Sequence, residues 1–329
     1  MMKKVKITIV GCGRIAQTHL QALEKIDRAD LKAVCDVSSQ TARSVAEQFK
    51  CQAYTDCRKM LASEEPDALI ICSPPNTHSK ISTLALTQGV NVLCEKPFAL
   101  NSNEAKQMVL TAKKKKLLLM MASKFRFVDD VVRAKGMLQS GFLGKPVLFE
   151  NIFCSRVDMS KRWNSRKRIS GGGVLVDNGT HSVDIARFLL GPIAYVQAQF
   201  GFQIQDIAVE DTATLYLRST GGVMGTVDLS WSINKEVDSY INIYGTEGTA
   251  CIGWRESKYK LYEKDKWETF GKGYDKLESF LNQINHFIDC IIYRKKPIIS
   301  ALDGLESVRV IETAYWSSRV NKWMKVARE

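Results

Sequence analysis

Along the first 124 residues, short apolar runs alternate with longer stretches whose apolar positions recur at helical spacing. The runs lie at 5–10, 31–35, 68–72, 90–94 and 117–121, and the helical patterns at 15–26, 41–48, 78–88 and 103–115. Continuously apolar strands separated by helices predict a parallel sheet covered on both faces. Ligands of such a sheet bind beyond the carboxyl ends of its strands. Lys113, Lys114, Lys115 and Lys116 close the last helical pattern, where cations complement the helix dipole, and read as a solvated helix end.

Beyond Phe125 the texture changes. A helix is predicted over 127–140 and a turn over 141–146. Strand then follows strand, at 147–155, 194–202, 212–217, 225–231 and 240–244, with hairpin turns at Gly221-Gly222 and at 245–248. This order predicts an antiparallel, open-faced sheet. Helical patterns return at 276–293 and 304–319. The expected fold class is therefore α/β. Residues 1–124 form a doubly wound parallel sheet, and residues 125–329 an α+β domain with a large, open, mostly antiparallel sheet. The last helices are candidates to pack back on the first domain.

Composition narrows the class. A chain of 329 residues at ~150 per domain suits two domains, and 45% hydrophobic with 25% charged residues excludes a disordered or fibrous chain. The longest apolar run, 117–122, falls far short of the ~20 residues that span a bilayer. The basic start runs straight into a glycine turn with no hydrophobic core segment, which argues against a signal peptide and for a cytoplasmic protein without a membrane partner. Nine cysteines with no CxxC pair, an odd count, favour reduced thiols and no metal. The net charge of +12 suits a phosphorylated small molecule or a solvated surface. No nucleic-acid recognition motif accompanies it, so no nucleic-acid partner is expected.

The chemistry begins at Gly11-Cys12-Gly13-Arg14-Ile15-Ala16, a G-x-G-x-x-A turn after the first strand and before the first helix. Gly11 permits the turn, Gly13 lets a pyrophosphate approach the backbone, and Ala16 lets the helix pack on the sheet. Asp36 ends the second strand, 23 residues beyond Gly13, where a carboxylate accepts hydrogen bonds from a ribose and repels a 2′-phosphate. NAD is thus expected as cofactor, in preference to NADP. Two further loops lie over the same sheet edge. One carries Ser73, Pro74, Asn76 and His78, the other Glu95, Lys96 and Pro97. His78 could equally belong to a strand stop and helix cap, whereas Lys96 points a cation into the crevice. Asp177 and His181, spaced i, i+4, share a helix face, so a carboxylate can orient an imidazole suited to proton transfer. Gly171, Gly172 and Gly173 before them are expected to allow close approach to a ligand.

In combination, the glycine turn, Glu95-Lys96-Pro97 and Asp177-x-x-x-His181-x-x-Asp184 resemble the glucose–fructose oxidoreductase/inositol dehydrogenase (Gfo/Idh/MocA) family. Lys124-Phe125-Arg126-Phe127 and Asp303-Gly304-Leu305-Glu306 extend the likeness over nearly the whole chain. The resemblance implies an N-terminal Rossmann domain and a C-terminal sheet that is often buried in a homodimer or homotetramer. It implies hydride transfer between NAD(P) and a carbinol carbon of a sugar, sugar derivative or cyclic polyol. Lys96, Asp177 and His181 are then catalytic: His181 exchanges the hydroxyl proton, Lys96 stabilises the oxygen, and Asp177 positions substrate and His181. Asp184 supports rather than reacts. Cofactor contacts implied are Gly11, Cys12, Gly13, Arg14, Ile15, Asp36, Ser73, Pro74, Asn76, His78, Glu95, Lys96 and Arg126. Substrate contacts are Lys96, Asp177 and His181, with Arg162, Trp163 and Arg166 from a basic segment, 156–168, that holds six cations and one acid. Such a segment suits a phosphate or carboxylate on the substrate, or a solvated or subunit-contact loop. A non-catalytic NAD-binding sensor or scaffold, or an imine or biliverdin-type reductase, is the alternative.

Overall fold

The strands β1 (Val5–Val10), β2 (Ala29–Cys35), β3 (Gln52–Tyr54), β4 (Ala68–Ile71), β5 (Asn91–Glu95) and β6 (Leu119–Ala122) form one sheet in the computed structural model, which describes residues 4–327. Their order is β3-β2-β1-β4-β5-β6, and every neighbouring pair is parallel. All of β4 and β6 is buried, as two covered faces require. The helices α1 (Arg14–Leu23), α2 (Ser39–Phe49), α3 (Cys57–Glu64), α4 (His78–Thr87) and α5 (Ser102–Lys115) connect the strands. Their ends are set locally: the side chains of Ser38, Asp56 and Asn101 accept the first amides of α2, α3 and α5. Lys116, in left-handed conformation, ends α5 after its three terminal lysines. The strand order reverses between β1 and β4, which is the switch point where doubly wound sheets take their ligands.

A turn at Lys124–Phe127 leads to α6 (Asp129–Gln139), β7 (Pro146–Cys154), the one-turn α7 (Lys167–Ser170) and α8 (Val174–Leu190). Seven strands follow: β8 (Ile193–Phe200), β9 (Thr212–Ser219), β10 (Met224–Ser230), β11 (Ser239–Gly245), β12 (Gly248–Gly253), β13 (Ser257–Leu261) and β14 (Trp267–Gly271). Then come α9 (Lys276–Tyr293), α10 (Ala301–Val320) and the short β15 (Met324–Lys325). The second sheet runs β14-β13-β12-β11-β7-β10-β9-β8-β15 and is antiparallel except where β7 meets β10. Alternating burial along β9 marks one covered and one open face. Val174, Leu175, Val183 and Ile185 of α8 share a buried cluster with Leu215, Leu217, Val227, Leu229, Ile241 and Ile243 of the sheet.

Two compact units result: Met1–Lys124 with Lys276–Leu305, and Phe125–Asp275 with Glu306–Glu329. Helix α9 thus belongs with the first sheet, where Phe280 meets His19 of α1 edge-on at 4.7 Å and Asp289 binds Arg28 at 2.5 Å. Among the described residues, no helix is long and apolar enough to cross a membrane.

Candidate active site

The glycine turn sits at the switch point of the first sheet. Gly11 has φ +89°, and a Cβ there would lie 2.5 Å from the amide nitrogen of Ser73, so the loops after β1 and β4 touch through the missing side chain. At Gly13, by contrast, a Cβ would meet nothing within 4 Å, and α1 starts there without a side-chain cap. Its first amides therefore face an open approach, with the partial positive charge of the helix end behind them. Arg14 is exposed and Ile15 half-buried beside it. Asp36 holds the turn from below, with Oδ2 accepting the Cys12 amide at 2.9 Å and Oδ1 the Ser38 amide at 2.9 Å. Burial pushes the Cys12 thiol up to about 12, helped by Asp36, so it is a packing thiol and no nucleophile. An uncapped helix end, an open face at Gly13 and an oriented carboxylate suit a dinucleotide.

The Lys96 loop rests on buried titratable groups. Glu95 is 6% exposed; its Oε1 pairs with His19 Nε2 at 2.8 Å, and its Oε2 accepts the Lys96 amide at 3.2 Å. Burial pushes the Glu95 carboxyl up, but His19, Lys96 and Lys124 outweigh this and hold it below the ordinary value. His78 is 1% exposed, and its ring nitrogens reach the carbonyls of Pro97 at 2.8 Å and Ser73 at 2.7 Å. Burial lowers its pKa against those two carbonyls. The ring joins the Ser73 loop to the cis Lys96–Pro97 bond, and His78 and Glu95, residues expected at the cofactor, brace these two loops from within. Ser73 and Pro74 are half-buried and Asn76 is exposed. Lys96 is half-buried at the strand end.

In the second unit, α8 carries Asp177 and His181 one turn apart, both half-buried. The His181 ring stands edge-on to Phe125 at 5.1 Å, and Phe125 in turn stacks on Phe153 and Tyr274. Arg126 binds Asp184 with both ends of its guanidinium, Nε to Oδ2 at 2.9 Å and Nη2 to Oδ1 at 2.6 Å. With exposures of 3% and 0%, this pair ties the Lys124–Phe127 turn to the helix one turn beyond His181. Arg126, expected at the cofactor, and Asp184, expected to support, thus meet as a buried ion pair.

The basic segment is ordered rather than loose. Its Trp163–Ser165 turn presents a 39% exposed Trp163, Arg166 is exposed and Arg162 half-buried. Its one acid, Asp158, is held below the ordinary value first by Ser160 and then by Lys161 and Arg162.

Two expectations need correction or addition. Gly172 and Gly173 make room for the protein's own groups and not for a ligand: a Cβ on Gly172 would lie 1.9 Å from the Tyr315 hydroxyl, and one on Gly173 2.0 Å from the Glu210 carbonyl. The residues involved, Glu210 and Tyr315, carry no local motif, and only the run of glycines hinted that something packs there. All nine cysteines are free thiols, and among the described residues no group of three or more His, Cys, Asp or Glu is placed to hold a metal.

Comparison with known proteins adds to this geometry. A family model described as oxidoreductase family, NAD-binding Rossmann fold, matches residues 5–123, and one described as GFO/IDH/MocA C-terminal domain matches residues 131–251. D-apiose dehydrogenase from Paraburkholderia graminis is 27% identical over 99% of this chain and 90% of its own length. Myo-inositol 2-dehydrogenase from Thermotoga maritima is 27% identical over 91% of this chain and 92% of its own. A structure of levoglucosan dehydrogenase in complex with NADH and levoglucosan superposes with a TM-score of 0.94 at 20% identity, covering 99% of this chain and 100% of that one.

Proposed function

The chain belongs to the Gfo/Idh/MocA oxidoreductase family, and from that premise we propose that it transfers a hydride between NAD and a carbinol carbon of a sugar, sugar derivative or cyclic polyol. The observation that carries this is the Asp177 and His181 pair on one face of α8, in a chain whose other unit is an NAD-binding Rossmann fold. The named dehydrogenases of apiose and myo-inositol supply the substrate class.

The residues divide the work by their chemistry. Gly13, Arg14 and Ile15 receive the pyrophosphate on backbone amides, Gly11 and Cys12 shape the turn with their amides on Cys35 and Asp36, and Asp36 takes the ribose hydroxyls. Ser73, Pro74 and Asn76 flank the nucleotide on the neighbouring loop. Bound NAD supplies the two-electron acceptor for the carbinol hydrogen. His181 holds the hydroxyl proton as it leaves and returns it in the reverse direction. Lys96 has the chemistry to donate to an oxygen on which charge develops. Asp177 orients both the substrate and the imidazole. Arg162, Trp163 and Arg166 bind an anionic portion of the substrate, such as a phosphate or carboxylate. Homodimer or homotetramer formation through the open sheet face fits the half-exposed Leu148, Tyr195, Tyr216 and Met224 on that sheet.

A panel of neutral and charged sugars and polyols, followed by NADH absorbance, tests the proposal. NAD reduction with at least one member is expected. NADH binding with no turnover across the panel would make the chain a nucleotide-binding sensor or scaffold instead.

A further inference from the structure

Helix α8 has no side-chain cap of its own at Gly173, yet its first amides are all engaged by one residue from another segment. Glu210 Oε1 accepts the amides of Gly173 at 2.9 Å and Leu175 at 3.1 Å, and the Glu210 backbone carbonyl accepts that of Val174 at 2.9 Å. The Tyr315 hydroxyl donates to the same Oε1 at 2.6 Å and lies 3.2 Å from the Gly173 nitrogen. The Gly173 carbonyl in turn accepts the Asp177 amide at 3.0 Å, so the grip on Gly173 is passed directly to Asp177. A side chain at either Gly172 or Gly173 would push this arrangement apart.

The grip is itself anchored. Asp211, next in the chain, accepts the amides of Ile204 at 2.9 Å and Gln205 at 2.8 Å and the Ser232 hydroxyl at 2.7 Å. Gln205 Oε1 accepts the Met159 amide at 2.9 Å, which roots the loop in the basic segment. A carboxylate at a helix N-terminus is also favoured by the helix dipole.

We propose that Glu210 and Tyr315 are positioning residues: they clamp the N-terminal turn of α8 and thereby set where Asp177 and His181 stand. This rests on the reading that Asp177 and His181 act on the substrate. The clamp touches no reacting atom, so its effect belongs to turnover and not to nucleotide binding. Misplacement of a catalytic group by about 1 Å can cost ~10²-fold in rate.

The test compares Glu210→Ala, Glu210→Gln, Tyr315→Phe and His181→Ala by kcat, KM, NADH affinity and the solvent deuterium isotope effect on kcat. In Glu210→Ala and Tyr315→Phe, kcat should fall by ~10- to 100-fold, with unchanged NADH affinity and a larger isotope effect, because proton transfer becomes slower. Glu210→Gln, which keeps the acceptor oxygen, should recover most of the loss. A folded Glu210→Ala with native kcat and isotope effect overturns the clamp if His181→Ala is still crippled. Where Glu210→Ala does not fold, a native kcat in Tyr315→Phe overturns it in the same way. A parallel fall in NADH affinity marks general damage and also overturns it. A His181→Ala that turns over normally strikes down the catalytic reading on which the clamp depends.

Discussion

In the first unit the glycine turn itself is mostly backbone: a left-handed Gly11, an uncapped helix at Gly13, and an amide tied to Asp36. In the second unit the helix that carries Asp177 and His181 is held by side chains from remote segments. Asp184 binds Arg126, 58 residues away, and Glu210 binds Tyr315, 105 residues away. The first kind of site depends on what the chain can do locally, the second on long-range pairs whose loss leaves a buried polar group without its partner. Substitutions should therefore damage the two units in different ways.

Arg126→Ala should produce the largest stability loss, because it removes the two-pronged guanidinium from an Asp184 that is 0% exposed. A loss of ~3–5 kcal/mol is expected in urea unfolding of the second unit. A change within ~1 kcal/mol would mean that the pair behaves like a surface ion pair. Gly11→Ala should do less to stability and more to nucleotide binding. A left-handed non-glycine residue costs ~1–2 kcal/mol, and the added Cβ presses on Ser73. Weakening of NADH affinity by about tenfold or more, read by fluorescence titration, is expected.

The Glu95 and Glu210 carboxyls sharpen the contrast with pH. Glu95 is held below its ordinary value of 4.5, so its ionised form stabilises the first unit above that value, and this is lost as pH falls through the lower folded pKa. Glu210 is held above 4.5: burial outweighs the hydrogen bonds from Tyr315 and from the Leu175 and Gly173 amides. Its native state binds the extra proton, so stability falls as pH rises from 4.5 through the raised value and is level beyond it. Relative to wild type, Glu95→Gln should lose stability at neutral pH, while Glu210→Gln should gain a little above 4.5. Melting curves across that range check both signs. The smallest effect is expected at the cofactor ribose: Asp36→Ala should raise the KM for NAD by several-fold and narrow the gap to NADP. A wild type that already prefers NADP would refute the ribose argument.

The same contrast explains what the residues disclosed in advance. Five of the six strands of the first sheet and the helix at Lys276–Tyr293 are legible because their apolar patterns are strong. The three-residue edge strand Gln52–Tyr54, with its exposed Gln52 and Ala53, and the eight-residue α3 are too short and polar to stand out. The short, lysine-bearing strand Ser257–Leu261, next to the edge strand β14, hides in the same way. Asp177 and His181 announce themselves through helical spacing. His78, Glu95 and Arg126 lie beside functional motifs, yet only tertiary packing reveals that they face inward. Glu210 and Tyr315 have no sequence signal, because nothing local records that 105 residues later a hydroxyl will meet that carboxylate.

The central claim is that His181 moves the proton of a substrate hydroxyl while the first unit holds NAD. The most direct test measures kcat and NADH affinity of His181→Ala side by side, on a substrate identified from the sugar and polyol panel at neutral pH. The account predicts a kcat lower by ~10²–10⁴-fold, the usual worth of a positioned acid–base group, with NADH affinity unchanged. A kcat close to that of the wild type would contradict it.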